Sequence, residues 1–225
     1  MLFTNLINIF IIAFIIFNDV TNPYILQYVV SWILSNIIVH LSSNKFTLDK
    51  QINYCNFADT RCKCKIRNFG DVISNVAFFI PSIYHIFYTC NVQLSTICFC
   101  ITIGSTYFHW TPNLSTLYWD RLPMIFGMVY IQNYHTSINF TNLLLYGLFT
   151  LEYHKITNDL SFYVVYQLNM LILLVMVQGF TIKLVLYIMA KFFEDYDREI
   201  FKITGEYISG HTIKHILAGV AMMFI

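Results

Sequence analysis

Two segments of this sequence contain histidines that could form one metal site. His211 and His215 are four residues apart, so on a helix they lie on one face, one turn apart. Two imidazoles at this spacing bind one zinc ion when a third ligand comes from elsewhere in the chain. His109, at the end of an earlier apolar run, is the candidate third ligand. The sequence therefore predicts one zinc ion per chain, bound by His109, His211 and His215.

Ser105 and Asp120 could supply the rest of a hydrolytic site. Ser105 lies four residues before His109 and so shares its helix face, while Asp120 begins the next apolar run. Three neutral imidazoles leave the fourth position of a tetrahedral zinc to water, whose pKa falls to about 7. A carboxylate can accept the proton of that water, and a hydroxyl can donate to the oxyanion formed on an attacked carbonyl. We therefore predict that Asp120 and Ser105 are catalytic in the hydrolysis of an amide or an ester.

The same residues also have structural interpretations. Asp120 could act as a helix N-cap, because an apolar run follows it with Pro123 in the first turn. Ser105 could hydrogen-bond only to a carbonyl of its own helix. The four remaining histidines are interpreted as hydrogen-bonded packing residues: His40, His85, His135 and His154.

The composition predicts an integral membrane protein. Of the 225 residues, 57% are apolar and only 11% are charged, whereas a soluble domain has about 25% charged residues. The mean hydropathy is +0.61. Aromatic residues make up 18% of the chain, which suits helices whose ends meet lipid headgroups. A net charge of +1 gives no indication of nucleic-acid binding, so the expected partners are the bilayer and a membrane lipid substrate.

Apolar runs long enough to cross a bilayer divide the chain into spans. Residues 1–41 are predicted to form an N-terminal transmembrane hairpin, 42–69 a basic cytoplasmic loop and 70–225 a seven-helix catalytic core. The predicted fold class is therefore all-α integral membrane, a seven-transmembrane-helix bundle with an extra hydrophobic hairpin.

The alternation of these spans brings the predicted site to one side of the membrane. His109 ends one span, Asp120 begins the next and His211 begins the last, so all three lie at the same depth. The loop 42–69 is on that side and contains six lysine and arginine residues, which makes the side cytoplasmic by the positive-inside rule. We expect a multi-pass protein with its active-site mouth facing the cytosol, in the ER or Golgi of a eukaryote or the inner membrane of a bacterium.

Several motifs from about residue 54 to residue 225 resemble the alkaline ceramidases and the ceramidase-like membrane proteins of bacteria. They share the pattern S-x3-H, an Asp eleven positions later and H-x3-H in the last helix. The segments are FADTR (57–61), IRNFGDVISN (66–75), GSTYFHWTPN (104–113), WDRLPM (119–124), AKFFEDYDREIF (190–201) and SGHTIKH (209–215). The wider superfamily includes adiponectin receptors and GPI-lipid remodelling proteins.

The resemblance implies a zinc amidase that cleaves the N-acyl bond of ceramide or a related sphingoid lipid, giving a long-chain base and a fatty acid. Ser105, His109, Asp120, His211 and His215 match the family's zinc and catalytic positions. Two alternatives stay open: a lipid receptor or sensor with low turnover, and an ester-directed hydrolase of the remodelling type.

Animal alkaline ceramidases bind calcium through an acidic segment, but the corresponding stretch here, DTRCKCKIRN (59–68), is basic. Calcium regulation is therefore doubtful.

Overall fold

The computed structural model describes residues 2–42 and 55–225, and these are almost entirely helical. The predicted all-α class is confirmed, since the described residues form no strand beyond a single β-bridge between Lys63 and Ile66. In chain order the described helices are α1 Leu2–Asn18, α2 Ile25–Leu41, α3 Phe69–Ser74, α4 Val76–Phe87, α5 Val92–Trp110, α6 Leu114–Thr136, α7 Phe140–Thr157, α8 Ser161–Gln178, α9 Ile182–Asp195, α10 Asp197–Ile203 and α11 Gly210–Met222.

One described helix, α8, is both long and apolar enough to cross a bilayer, judged by length and composition. The helix α2 and the segment Asn8–Asn18 are also apolar but shorter. The helices of the described residues thus show an all-helical protein with one candidate span, and the seven-span arrangement rests on the sequence pattern.

The described residues form two compact units. The first contains residues 2–42 and 128–179, where α2 and α7 pack against α8 and α1 contacts α2 and α7. Its interior combines apolar side chains with hydrogen-bonded polar ones. Ser31 donates to Asn169, the Trp32 indole N–H donates to the Tyr146 hydroxyl at 3.1 Å, and Tyr166 donates to a main-chain carbonyl at 3.1 Å. Such buried networks fix the register of packed helices.

The second unit contains the described residues 55–127 and 180–225, and α11 is its central element. The helices α3, α4, α9 and α10 all contact α11, and α5 packs against α3 and α4. Glycines allow close contact: a Cβ at Gly219 of α11 would overlap the backbone of Ala77 in α4. All five predicted site residues belong to this unit.

The helices α5 and α6 meet backbone to backbone beside Ser105 and Asp120. A Cβ at Gly104 would overlap the carbonyl of Trp119, and each of these residues directly precedes one of the two predicted catalytic residues. The absence of a side chain at Gly104 therefore sets the separation at which the hydroxyl and the carboxyl face each other.

Substitution of Gly104 should separate α5 from α6. Gly104→Ala places a methyl group against a main-chain carbonyl that cannot move away by a side-chain rotation, so we expect a destabilisation of about 1–3 kcal/mol. Gly127→Ala is the matched control in α6, because its Cβ would meet only side-chain carbons at 3.4 and 4.0 Å. Thermal unfolding of both purified variants in detergent measures the difference. Equal stability of the two variants would contradict this account of the contact.

The segment before α3 folds around the buried carboxylate of Asp59. Arg61 donates to it through Nε and Nη2, both at 2.7 Å, and the main-chain N–H of Gly70 donates at 2.7 Å. Although burial acts to raise the pKa of Asp59, the hydrogen bonds from Arg61 and Gly70 hold it below its ordinary value. The Asp59–Arg61 pair thus attaches this segment to the start of α3.

The lowered pKa of Asp59 predicts how the stability of the protein depends on pH. Its stabilisation is complete above the unfolded pKa of about 3.9 and is lost only as the pH falls through the lower folded pKa. We expect the difference in Tm between the wild type and Asp59→Asn to stay constant from pH 7 to about pH 4 and then to narrow. Thermal unfolding at a series of pH values measures it. If the difference in Tm already narrows between about pH 7 and 5, the pKa of Asp59 is raised and not lowered in the folded protein.

Candidate metal centre

Three buried histidines from two helices meet at one point in the second unit. His109 lies in the last turn of α5, and His211 and His215 lie in successive turns of α11. The ring centroids are 4.7 to 4.8 Å apart, and one nitrogen of each ring lies within 4.8 Å of the other two. Bonds of about 2.0–2.1 Å in a tetrahedral site place ligand nitrogens ~3.3 Å apart, so small side-chain movements would complete coordination. The group can therefore hold a metal ion.

Hydrogen bonds around His215 show which of its nitrogens is available. Ser74 donates its hydroxyl proton to the carbonyl oxygen of Asp71 at 2.9 Å, and its Oγ lies 2.7 Å from Nδ1 of His215. When Ser74 donates to Asp71, Nδ1 of His215 supplies the proton of this second bond. A neutral ring then has its lone pair on Nε2, and such a partner on the other nitrogen is typical of metal-binding histidines.

Two carboxylates anchor the first turn of α11, where His211 lies. Asp197 accepts a hydrogen bond from the main-chain N–H of His211 at 2.8 Å. Asp71 accepts from the Ser209 hydroxyl at 2.5 Å and from the Thr212 hydroxyl at 3.0 Å, and Ser209 also caps the helix. Negative charge is favourable at this end of a helix. The position of the His211–His215 pair is therefore fixed from both α3 and α10.

His109 is enclosed by aromatic side chains. Its Nδ1 is buried and has no hydrogen-bond partner among the described residues, which is unusual for a buried polar atom and is expected of a nitrogen that binds an ion. Phe57 packs against His109 and His211, with ring centroids 4.6 and 4.9 Å away. Phe57 also joins a buried cluster with Phe108 and Leu117. These rings keep bulk water away from the three imidazoles.

Asp120 and Ser105 lie together, buried, in the same unit. The two side chains interact, and Oδ1 of Asp120 has no hydrogen-bond partner among the described residues. The interpretation of Asp120 as an N-cap is wrong, because α6 begins six residues earlier, at Leu114. Asn113 caps that helix by accepting from two main-chain N–H groups at 2.9 Å. Asp120 is therefore an interior helix residue whose carboxyl has no capping role.

An ion pair that the sequence analysis did not anticipate lies beside His211. Lys214 donates to Glu194 at 2.5 Å, Lys191 donates to the same carboxylate at 2.6 Å, and Nζ of Lys214 is 3.4 Å from Nε2 of His211. The sequence signals are the lysine between the two histidines of HTIKH and the presence of Lys191 and Glu194 in AKFFEDYDREIF. Asp71, Ser74 and Asp197 were also missed as supporting residues, although they lie in the motifs IRNFGDVISN and AKFFEDYDREIF.

The histidines interpreted as packing residues lie outside the three-histidine group. His85 contacts the carbonyl of Met222 at 2.8 Å and the Thr89 hydroxyl at 3.1 Å. His135 contacts Gln178 at 2.6 Å.

No family model matches the chain, and no curated protein or solved structure is significantly similar to it. A metal site is therefore supported by the geometry of the residues themselves.

We expect the purified protein to contain one zinc ion per chain. Replacing His211 and His215 together by Ala should abolish binding, while Ser74→Ala should lower the affinity about 10- to 100-fold, because it removes only the support of one ligand. His40→Ala, which changes an exposed histidine, is the control and should bind normally. Elemental analysis and chelator competition measure both effects. Unchanged metal content in the double variant would reject the site, and stoichiometric iron or manganese would reject zinc.

Proposed function

We propose that this protein is a zinc-dependent intramembrane lipid amidase that hydrolyses the N-acyl bond of ceramide or a related sphingoid lipid. The observation that supports the proposal best is the buried group of three histidines with a buried carboxyl and hydroxyl in the same compact unit. Three neutral nitrogen donors suit zinc and leave one coordination position open. The order of the motifs along the chain, which resembles the alkaline ceramidases, supports the choice of substrate class.

The three histidines would hold the metal, which when bound polarises the attacked carbonyl and makes a hydroxide available near neutral pH. The hydrogen bond from His215 to Ser74 keeps the lone pair of Nε2 directed away from Ser74. Asp197 and Asp71 hold the first turn of α11 in place. Because α11 carries two of the three ligands, these contacts preorganise the site before the substrate binds.

We assign the groups that act on the scissile amide to Asp120 and Ser105. Oδ1 of Asp120 is buried without a partner among the described residues, so it can take the proton of the attacking water and later deliver it to the leaving amine. The Ser105 hydroxyl can donate to the oxygen that becomes negative in the tetrahedral transition state. Both groups lie near Gly104, where α5 and α6 are in backbone contact, so little movement is needed to align them.

The composition and helix lengths support a place within a bilayer. The helices α5 and α6 contain 19 and 23 residues and α7 and α8 contain 18 each, and about 20 residues cross a hydrocarbon core. We propose a multi-pass protein of sphingolipid metabolism with seven core spans after an N-terminal hairpin. Its catalytic mouth would face the cytosol, in the ER or Golgi of a eukaryote or the inner membrane of a bacterium.

Turnover with defined lipids tests the proposal. The purified, zinc-loaded protein in detergent is given a ceramide and an ester-linked lipid of the same acyl chain, and released fatty acid is measured. Many turnovers with the ceramide and few with the ester would support the amidase. The reverse preference would replace it by an ester hydrolase. No more than one turnover with either lipid would replace it by a lipid receptor.

Asp120→Asn tests the proton-transfer role. The amide preserves size and helix propensity but cannot accept the proton, so turnover should fall about 100-fold or more while the Tm and zinc content stay near wild type. Asp195→Asn, which changes an exposed carboxylate paired with Lys191, is the matched control and should keep normal turnover. Near-normal hydrolysis by Asp120→Asn would remove Asp120 from the catalytic machinery.

A further inference from the structure

A groove with a volume of 520 Å³ runs between α11 and the pair α3–α4 in the second unit. Its walls are formed mainly by aliphatic side chains from α4 and α11, among them Val76, Ile80, Ile216 and Val220. Each of these four is more than a third exposed. The volume lies within the range of about 300–1,000 Å³ that is usual for small-molecule sites, which are apolar with a few oriented polar groups.

Two cationic side chains line this groove. Arg61 and Lys63 contribute to its lining, together with the ring of Phe69. An ordered turn holds Lys63, since its main chain exchanges hydrogen bonds of 3.1 and 2.9 Å with Ile66, and its ammonium lies 5.7 Å from the Phe69 ring centre. The same segment contains Lys65 and Arg67. The groove therefore combines an apolar lining with two cationic side chains, of which Arg61 is paired with Asp59.

Arg61 can bind a second anion although it already pairs with Asp59. That carboxylate takes one hydrogen bond from Nε and one from Nη2, while a guanidinium has five N–H donors. Three donors therefore remain, and the side chain is 25% exposed. Lys63 is an exposed residue as well. The side chains of Arg61 and Lys63 can therefore both donate hydrogen bonds to a phosphate or another multivalent oxyanion.

We propose that this groove is a binding site for one anionic membrane phospholipid, with an acyl chain along the apolar walls and the phosphate between Arg61 and Lys63. The charge at the mouth selects a negatively charged headgroup over a zwitterionic one, since each basic residue near an anionic headgroup favours binding about fivefold. The apolar walls select a lipid over its water-soluble headgroup. The groove adjoins the three-histidine centre at Ser74, which lines it and contacts His215, but lipid binding there does not depend on the amidase activity.

Native mass spectrometry of the full-length protein in detergent tests the site. Phosphatidylglycerol and phosphatidylcholine of equal chain length are titrated, and the bound lipids are counted by mass. We expect about a fivefold preference or more for phosphatidylglycerol. Lys63→Ala should lower phosphatidylglycerol binding about fivefold. Lys155→Ala, which changes an exposed lysine near Glu152, should have no effect.

A second arm tests the apolar part of the groove. Val220→Trp, which fills the groove, should reduce binding of both lipids, and glycerol phosphate should fail to compete. Equal binding of the two phospholipids, or equal effects of Lys63→Ala and Lys155→Ala, would overturn the proposal. Competition by glycerol phosphate would also overturn it, because an anion site without a lipid chain would then suffice. Using Asp120→Asn as the background protein keeps the measurement independent of any hydrolysis.

Discussion

The arrangement of the second unit depends on three buried imidazole rings, enclosed by aromatic side chains, whose nitrogens need partners. A buried ring nitrogen without a partner costs free energy, and Nδ1 of His109 has none among the described residues. Protonating the unpartnered nitrogens would make the rings cationic and would place positive charges within 5 Å of one another. A metal ion bound by the three histidines would satisfy one nitrogen of each ring at once, and the neighbouring residues would then support its ligands.

That support comes from the carboxylates of Asp71 and Asp197, which bond to the first turn of α11. Asp71 bonds to two hydroxyls in the first turn of α11, and its own carbonyl accepts the proton of Ser74, which in turn orients His215. Asp197 holds the main chain at His211 and also accepts from the N–H of Ala58. The loop that carries Phe57 is thereby connected to the same helix turn, so the cover of the site and its ligands are positioned together.

The local parts of the site could be predicted from the sequence because helical spacing determines which residues share a face. The pairs His211–His215 and Ser105–His109 are of this kind. That the segments of His109 and His211–His215 converge could be predicted only from the alternation of apolar runs. This argument is weak for α6, because that helix begins at Leu114, in a polar stretch capped by Asn113, and not at the start of the apolar run. Apolar runs mark where a helix is buried in lipid or protein and not where its hydrogen bonding begins.

Other parts depend on tertiary contacts that leave no periodic signal. The Lys214–Glu194 pair joins residues 20 positions apart, and the Ser74–His215 bond joins residues 141 apart. The contact at Gly104 is equally invisible, since a glycine within a helix indicates only a permissive position until its neighbour is known. The composition, by contrast, predicts a membrane environment, but among the described helices α8 is the one that is long and apolar enough to cross a bilayer.

The long sequence separation of the ligands has a consequence for biosynthesis. His109 and His211 lie 102 positions apart (211 − 109), so the first part of the chain is synthesised and can pack well before two of the three ligands exist. At about 5–20 residues per second, this interval is on the order of 5–20 s. A metal ion held by all three histidines could therefore be captured only after α11 docks, and a chain without α11 would have no means of retaining it. Metal loading would then distinguish finished molecules from unfinished ones.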